Sequence, residues 1–299
     1  MAIPGFQDVM LPLLQITSDG KEHTLRGTIE TLGEYFELTT EERKEMLPSG
    51  RQARFDNRVG WSTTYLRKTK LLESTGRGRF RITDRGYDVL AQDPDRVDLK
   101  FLEQFDELDE FRNKSAQTAV ESIEESNNTP EEILEESYND LRQKLKRDLL
   151  ERIKTNTPQF FESLVIDLML AMGYGGSRRD AGEAVGRSGD GGIDGIIKED
   201  RLGLNNIYIQ AKRWENTVGR PEVQAFSGAL DMHRANRGVF ITTSQFSREA
   251  IEFVGRIGKK IILIDGSYLA DLMIDYSVGV IIKETYIVYE LNENYFDDE

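Results

Sequence analysis

The sequence predicts an α/β domain built on a mixed central sheet flanked by helices, preceded by a smaller α+β module of short helices and a hairpin. Three features of its 299 residues point there. Strand-like and helix-like patterns alternate from Ile193 to Tyr276, the order that builds a helix-flanked sheet. Short amphipathic runs before residue 73 end in two strand patterns punctuated by glycine. Between them lies a polar, acidic stretch, and the whole has the length of about two domains at roughly 100–200 residues each.

Taken in order, helical patterns run through Phe6–Leu14 and Gly27–Phe36, and Thr39-Thr40-Glu41-Glu42 has the capping-box spacing that opens a third helix. A fourth covers about Val59–Leu72. Glu73 to Thr83 reads as two strands turning at Gly76–Gly78, and Asp84–Ala91 closes the module as a short helix. Residues 92–128 read as a solvated acidic linker, in which Phe101–Phe111 could form one short amphipathic helix. Thr129-Pro130-Glu131-Glu132 then supplies an N-cap, a proline at the first helical position and acids in the first turn. A charged helix follows to about Lys154, and Thr157-Pro158 opens an apolar one over Gln159–Met172, ended by Gly173. Strands are expected at Ile193–Lys198, Asn206–Trp214, Gly238–Thr243 and Lys260–Asp265. Helices are expected at Pro221–Arg234, Ser247–Ile257 and Tyr268–Tyr276, with β-formers continuing to Tyr289. The domains expected are therefore 1–91, the linker 92–128, and 129–299 with its leading helix.

Composition removes several chemistries. The chain has no cysteine, which excludes disulfides, Cys zinc sites, iron–sulfur clusters and thiol nucleophiles, and two histidines, His23 and His233, are too few for a His metal cage. No run approaches the ~20 apolar residues of a membrane span, and MAIPGFQDVMLPLLQ lacks the basic start of a signal peptide. A soluble, cytoplasmic protein without a membrane partner is expected. The net charge of −14 taken whole argues against nucleic acid. By segment, however, residues 51–90 carry +6, residues 91–140 carry −12, and residues 151–286 carry −1. Acidity belongs to the linker and the tail, and the linker is expected to compete with DNA for the basic hairpin.

On the fourth helix Trp61, Tyr65 and Leu72 share one face, with Thr63, Arg67 and Lys70 opposite. A helix bearing Arg and Lys, followed by a hairpin with Arg77, Arg79 and Arg81, is a winged-helix pattern. It makes Arg58, Thr63, Arg67, Lys70, Arg77, Arg79 and Arg81 the candidate DNA contacts; the alternative is an ordinary solvated face.

The most informative run is Gly189-Asp190-Gly191-Gly192-Ile193-Asp194-Gly195, followed by Ile207-Tyr208-Ile209-Gln210-Ala211-Lys212. On a strand Gln210 and Lys212 share a face and Ala211 lies opposite. If the two strands pair as a hairpin, that face also carries Asp194. The Asp194 carboxylate, the Gln210 amide oxygen and the Ala211 carbonyl could hold a hard cation such as Mg²⁺, with Lys212 orienting a water toward a phosphodiester. Glu162 is either a further acid near the metal or a favourable helix N-terminal charge. Asp190 reads as a loop carboxylate, Thr242-Thr243-Ser244 as a strand-end turn, and His233 as a helix-surface residue.

Together with Phe160-Phe161-Glu162, Gly173-Tyr174, Gly238-Val239-Phe240-Ile241-Thr242-Thr243-Ser244 and Ile264-Asp265-Gly266, these motifs resemble the Mrr-type domain of the PD-(D/E)xK nuclease superfamily in its Gln-x-Lys variant. Residues Val59-Gly60-Trp61 and Arg79–Gly86 look like the winged-helix domain that accompanies it. The resemblance implies a restriction-endonuclease-like fold and a type IV enzyme that cleaves methylated double-stranded DNA with Mg²⁺, Mn²⁺ substituting. It implies catalytic roles for Asp194, Gln210 and Lys212, with Glu162 as helper. Gln210 stands where the wider superfamily more often has an acid, which should weaken the hold on metal. Cutting both strands implies a homodimer or higher homo-oligomer. A structure-specific repair or recombination nuclease, or an inactive winged-helix DNA-binding regulator, are the alternatives.

Overall fold

In a computed structural model describing residues 2–113, 127–175, 192–199, 205–289, 291, 292 and 295, the apolar stripes of the first half meet in one core. α1 (Phe6–Ile16), α2 (Leu25–Tyr35) and α4 (Arg54–Lys68) bury Val9, Leu13, Leu32, Val59 and Leu66, with the short α3 (Thr40–Arg43) between α2 and α4. Thr24 Oγ1 caps α2 by accepting from Gly27 N at 3.1 Å, and Thr39 and Glu42 form the expected reciprocal box on α3. α4 ends at Lys68 rather than Leu72. Lys70 takes a left-handed φ of 59°, and Leu71 N turns back to Leu66 O at 2.9 Å. Leu72 therefore starts a strand. β1 (His23–Thr24), β2 (Leu72–Gly76) and β3 (Arg79–Ile82) form an antiparallel sheet in the order β1-β3-β2, with Gly78 at φ 61° in the turn. α5 (Asp84–Ala91) follows, capped by Thr83.

The head of the acidic stretch is solvated on one side only. Two short helices, α6 (Leu99–Leu102) and α7 (Asp106–Asn113), stand where one was expected. Leu99, Leu102 and Leu108 join the N-terminal core at 2% exposure or less. Glu107 lies 2.9 Å from Arg85 and 2.8 Å from Lys70, and the hydrogen bonds from these two side chains hold its carboxyl down to about 2. The remainder of the expected linker, 114–126, lies outside the described residues.

Two compact units divide the chain, Met1–Leu141 and Arg142–Glu299, and the boundary falls inside the long α8 (Pro130–Thr155). In the first unit the start of α8 is tied to α4. Arg58 forks onto Glu132, with Nη2–Oε1 at 2.9 Å and Nε–Oε2 at 3.1 Å, and donates through Nη1 to Ile3 O at 2.7 Å and Pro4 O at 3.1 Å. Thr129 donates to Asn57 at 2.6 Å and Trp61 Nε1 to Glu131 at 2.6 Å.

In the second unit β4 (Gly195–Lys198) pairs antiparallel with β5 (Asn206–Lys212), which pairs parallel with β6 (Arg237–Thr242), and β6 with β7 (Lys260–Ile264). Strand alternation separates two apolar layers. Ile207, Ile209, Ala211, Val239 and Ile241 face α9 (Pro158–Ala171) and α12 (Gly266–Asp275). Tyr208, Phe240 and Ile261 face α10 (Arg220–Met232) and α11 (Arg248–Val254). The β-formers after Val278 make no strand among the described residues. A strand needs a paired neighbour, and residues 281–289 are exposed throughout. Among the described residues no helix is long and apolar enough to cross a membrane.

The Glu132 carboxylate is 3% exposed, so removing Arg58 leaves a buried charge without its fork. Glu132→Ala and Arg58→Ala should each lower unfolding free energy by about 3–5 kcal/mol, as read from urea denaturation. A paired Arg58→Met/Glu132→Leu replacement should recover most of that loss.

Candidate active site

The candidate site forms where β4 and β5 begin to part. The ladder sets Gly195 opposite Ile209, and Asp194 N donates to Ile209 O at 2.8 Å, which holds Asp194 against β5 at the Ile209–Ala211 segment. The Asp194 carboxylate then accepts from Ala211 N at 2.8 Å, adding one side-chain rung where the backbone ladder stops. In an antiparallel pair the N–H and C=O of one residue point to the same neighbour. The Ala211 carbonyl therefore faces the Asp194 edge, while its methyl is buried in the core on the α9 side. Gln210 and Lys212 share the opposite sheet face.

Gln210 is 6% exposed, and its Oε1 has no hydrogen-bond partner among the described residues. An orphaned buried carbonyl oxygen is costly, about 1–3 kcal/mol, unless something positive meets it. Gly192 packs over the same side chain at φ 100°, and a Cβ there would stand 2.8 Å from Gln210 Nε2. Gly192 thus holds a left-handed backbone conformation that a larger residue rarely adopts. Glu162, half-buried on α9, has its carboxyl raised by burial and then by the charge of Asp194, with Lys212 pulling the other way. The charges of Asp194 and Lys212 thus both reach the Glu162 carboxyl. Asp194, Gln210 Oε1 and the Ala211 carbonyl offer only oxygen donors, the set a hard divalent cation takes. Among the described residues no three His, Cys, Asp or Glu cluster as a metal cage.

The surroundings hold β5 in place. Thr242 Oγ1 donates to Lys212 O at 2.8 Å, Thr243 Oγ1 to Trp214 O at 2.8 Å, and Ser244 Oγ to Glu215 O at 3.1 Å. The Thr-Thr-Ser run is a strand-end clamp. Arg213 Nη1 donates to Lys154 O at 2.5 Å, joining the residue after Lys212 to the end of α8. His233 ends α10 with its ring 5.5 Å from Tyr208. Asp190 lies outside the described residues.

Residues 153–273 match the restriction endonuclease family Mrr_cat, and residues 6–92 match the Mrr N-terminal domain. Over 294 residues the chain is 36% identical to the type IV methyl-directed restriction enzyme EcoKMrr of Escherichia coli (strain K12), spanning 94% of this chain and 95% of that one. The chain belongs to the Mrr family of restriction endonucleases. Among solved structures, this Mrr-family chain is similar to the MspJI restriction endonuclease in complex with a 27-mer oligonucleotide at 24% identity. That match has a TM-score of 0.33 and covers 43% of this chain and 31% of that one. It is also similar to the DNA modification-dependent restriction endonuclease AspBHI at 26% identity, with a TM-score of 0.35, covering 46% and 36%.

Within the Mrr N-terminal domain, two expected DNA contacts are turned inward. Arg58 is 7% exposed because Glu132 and two backbone carbonyls occupy its guanidinium. Thr63 is 6% exposed, its hydroxyl donating to Val59 O at 2.9 Å. Neither can reach DNA without unfolding. Arg67, Lys70, Arg77, Arg79 and Arg81 are on the surface. Lys70 bridges to Glu107, Arg79 to Glu22 at 2.6 Å, and Arg81 to Glu73 at 2.5 Å. Exposed pairs of this kind contribute about 0–1 kcal/mol and exchange readily for a phosphate.

A carboxyl held above its ordinary range adds stability at low pH and loses it as pH rises through the raised value. Glu162→Gln should therefore raise the metal-free thermal midpoint near pH 7, and the gain should vanish on acidification below the ordinary glutamate range. Melting curves in EDTA across that range check it.

Proposed function

We propose that this Mrr-family enzyme is a modification-dependent endodeoxyribonuclease that hydrolyses phosphodiester bonds of methylated double-stranded DNA with Mg²⁺, or Mn²⁺ in its place. The observation that carries the reading is the buried Gln210 Oε1, without a hydrogen-bond partner among the described residues, on the strand whose next residue, Ala211, donates its N–H to the Asp194 carboxylate. The methyl-directed activity of the Escherichia coli relative supports a modified substrate.

Asp194, Gln210 and the Ala211 carbonyl would hold the cation, which when bound supplies positive charge against that developing on the scissile phosphate. Lys212 directs its ammonium toward the same phosphate and orients the attacking water. Glu162, more basic than an ordinary carboxylate because of burial and Asp194, is suited to take up that water's proton on a carboxylate oxygen. A winged-helix reader over residues 1–91 holds the duplex through Arg67, Lys70, Arg77, Arg79 and Arg81, and the nuclease lies within residues 129–299. One site cuts one strand, so a homodimer is the smallest assembly that cuts both.

A panel of unmodified, N6-methyladenine and 5-methylcytosine plasmids, with and without Mg²⁺, tests this. Cleavage is expected only with metal and only on a methylated plasmid. Lys212→Ala should lower its rate by about 100-fold or more while DNA affinity stays unchanged. Equal cutting of unmodified plasmid, or preferred cutting of branched DNA, would overturn the reading, and so would DNA binding without cleavage under every condition. Arg67→Ala should weaken binding to all duplexes alike and reduce the log–log salt slope by about 1.

A further inference from the structure

A groove of about 670 Å³ lies on the N-terminal unit, between the start of α2, the first turn of α4 and the β2–β3 turn. Leu25 and Ile29, partly buried against the core, form its apolar wall, and Arg26, Arg77 and Arg79 stand around it. Of its two acids, Glu30 faces Arg26 at 3.6 Å. Asp56 is half-buried and has no hydrogen bond or ion pair among the described residues; burial alone pushes its carboxyl up.

Asp56 also heads the outward stripe of α4, continued at helical spacing by Gly60, Thr64 and Arg67. When a helix enters the major groove, residues near its N-terminus meet base edges. A carboxylate there repels every phosphate and gains only from a hydrogen-bond donor, so it discriminates rather than adding general affinity. The major-groove edge offers such a donor at cytosine N4 and adenine N6. In 5-methylcytosine the C5 methyl group sits beside that amine and leaves its free hydrogen in place, whereas in N6-methyladenine the methyl group replaces the amine's major-groove hydrogen, so in a duplex the cytosine mark alone offers both the donor and the methyl.

We infer that this groove reads the methylated base: Asp56 accepts from the exocyclic amine, Leu25 and Ile29 receive the methyl group, and the surrounding arginines hold flanking phosphates. The inference rests on the modification-dependent reading above and assigns its specificity to named residues. An unmethylated base has no methyl group to seat it on the apolar wall, so its amine is not held against Asp56 and it meets only the carboxylate's repulsion of the phosphates; one methyl group in such a pocket is worth about tenfold or more in affinity.

The test uses the full chain carrying Lys212→Ala, so that DNA stays intact. It is titrated by fluorescence anisotropy at fixed salt against matched duplexes bearing 5-methylcytosine, N6-methyladenine or neither. The parent should favour the 5-methylcytosine duplex by about tenfold or more; preference for the N6-methyladenine duplex instead would overturn the groove alone. Adding Asp56→Ala should bring that ratio close to one while affinity for unmethylated duplex holds or rises. Ile29→Phe, which fills the groove, should do the same provided its melting matches the parent's; if it does not, Asp56→Ala alone decides. A parent that binds all three duplexes equally overturns the modification-dependent reading and the groove with it. A parent that discriminates, with a folded Asp56→Ala that discriminates equally well, overturns the groove alone.

Discussion

The register of the β4–β5 hairpin, Gly195 opposite Ile209, is the constraint on which the catalytic unit depends. Strand side chains alternate, so a slip of one residue would carry Ile207 and Ile209 out of the layer under α9 and α12 and drive Gln210 and Lys212 into it. The burial of those isoleucines against α9 and α12 therefore also sets where the polar residues stand. Asp194 extends the same register past the end of the backbone ladder through its bond to Ala211 N. Gly192 closes over Gln210 at a φ of 100°, a backbone conformation that side-chain-bearing residues rarely adopt. A hydrophobic preference thus becomes a precise placement of oxygen atoms.

In the N-terminal unit, charge pairing has the comparable part. The chain is strongly acidic, yet several of its acids are structural. Glu132 is buried under Arg58, Glu131 receives Trp61, and Glu107 joins Lys70 to Arg85. These contacts divide the basic residues of α4 into two kinds. Arg58 belongs to the interior and ties α4 to α8, whereas Arg67 remains on the outward stripe with Asp56. Local net charge alone cannot separate them, since both count equally toward the +6 of residues 51–90. The idea that the acidic stretch only competes for the basic surface needs the same revision. Leu99, Leu102 and Leu108 make its head part of the core, so removing it would damage the fold as well as its charge.

Much of the architecture was legible because it depends on near neighbours. Thr39 with Glu42, Thr157 before Pro158 and Asp84 after Thr83 start helices through bonds that span three residues. The β5 run was legible for the same reason, its polar Gln210 and Lys212 interrupting β-formers at a spacing of two. What could not be read were features made by remote partners. α4 stops at Lys68 because of how Leu71 returns to the core, and the β-formers after Val278 make no strand because pairing is not a local property.

The sequence by itself determined the order of elements, their caps, and the polar residues that break an apolar pattern, since each rests on spacing within a few positions. Only the tertiary structure decided that Asp194 accepts from Ala211 N, that Gln210 Oε1 is buried without a hydrogen-bond partner among the described residues, and that Arg58 is an interior residue. A helix presents an arginine at the same spacing whether it will meet water, a phosphate, or a glutamate 74 positions further along the chain.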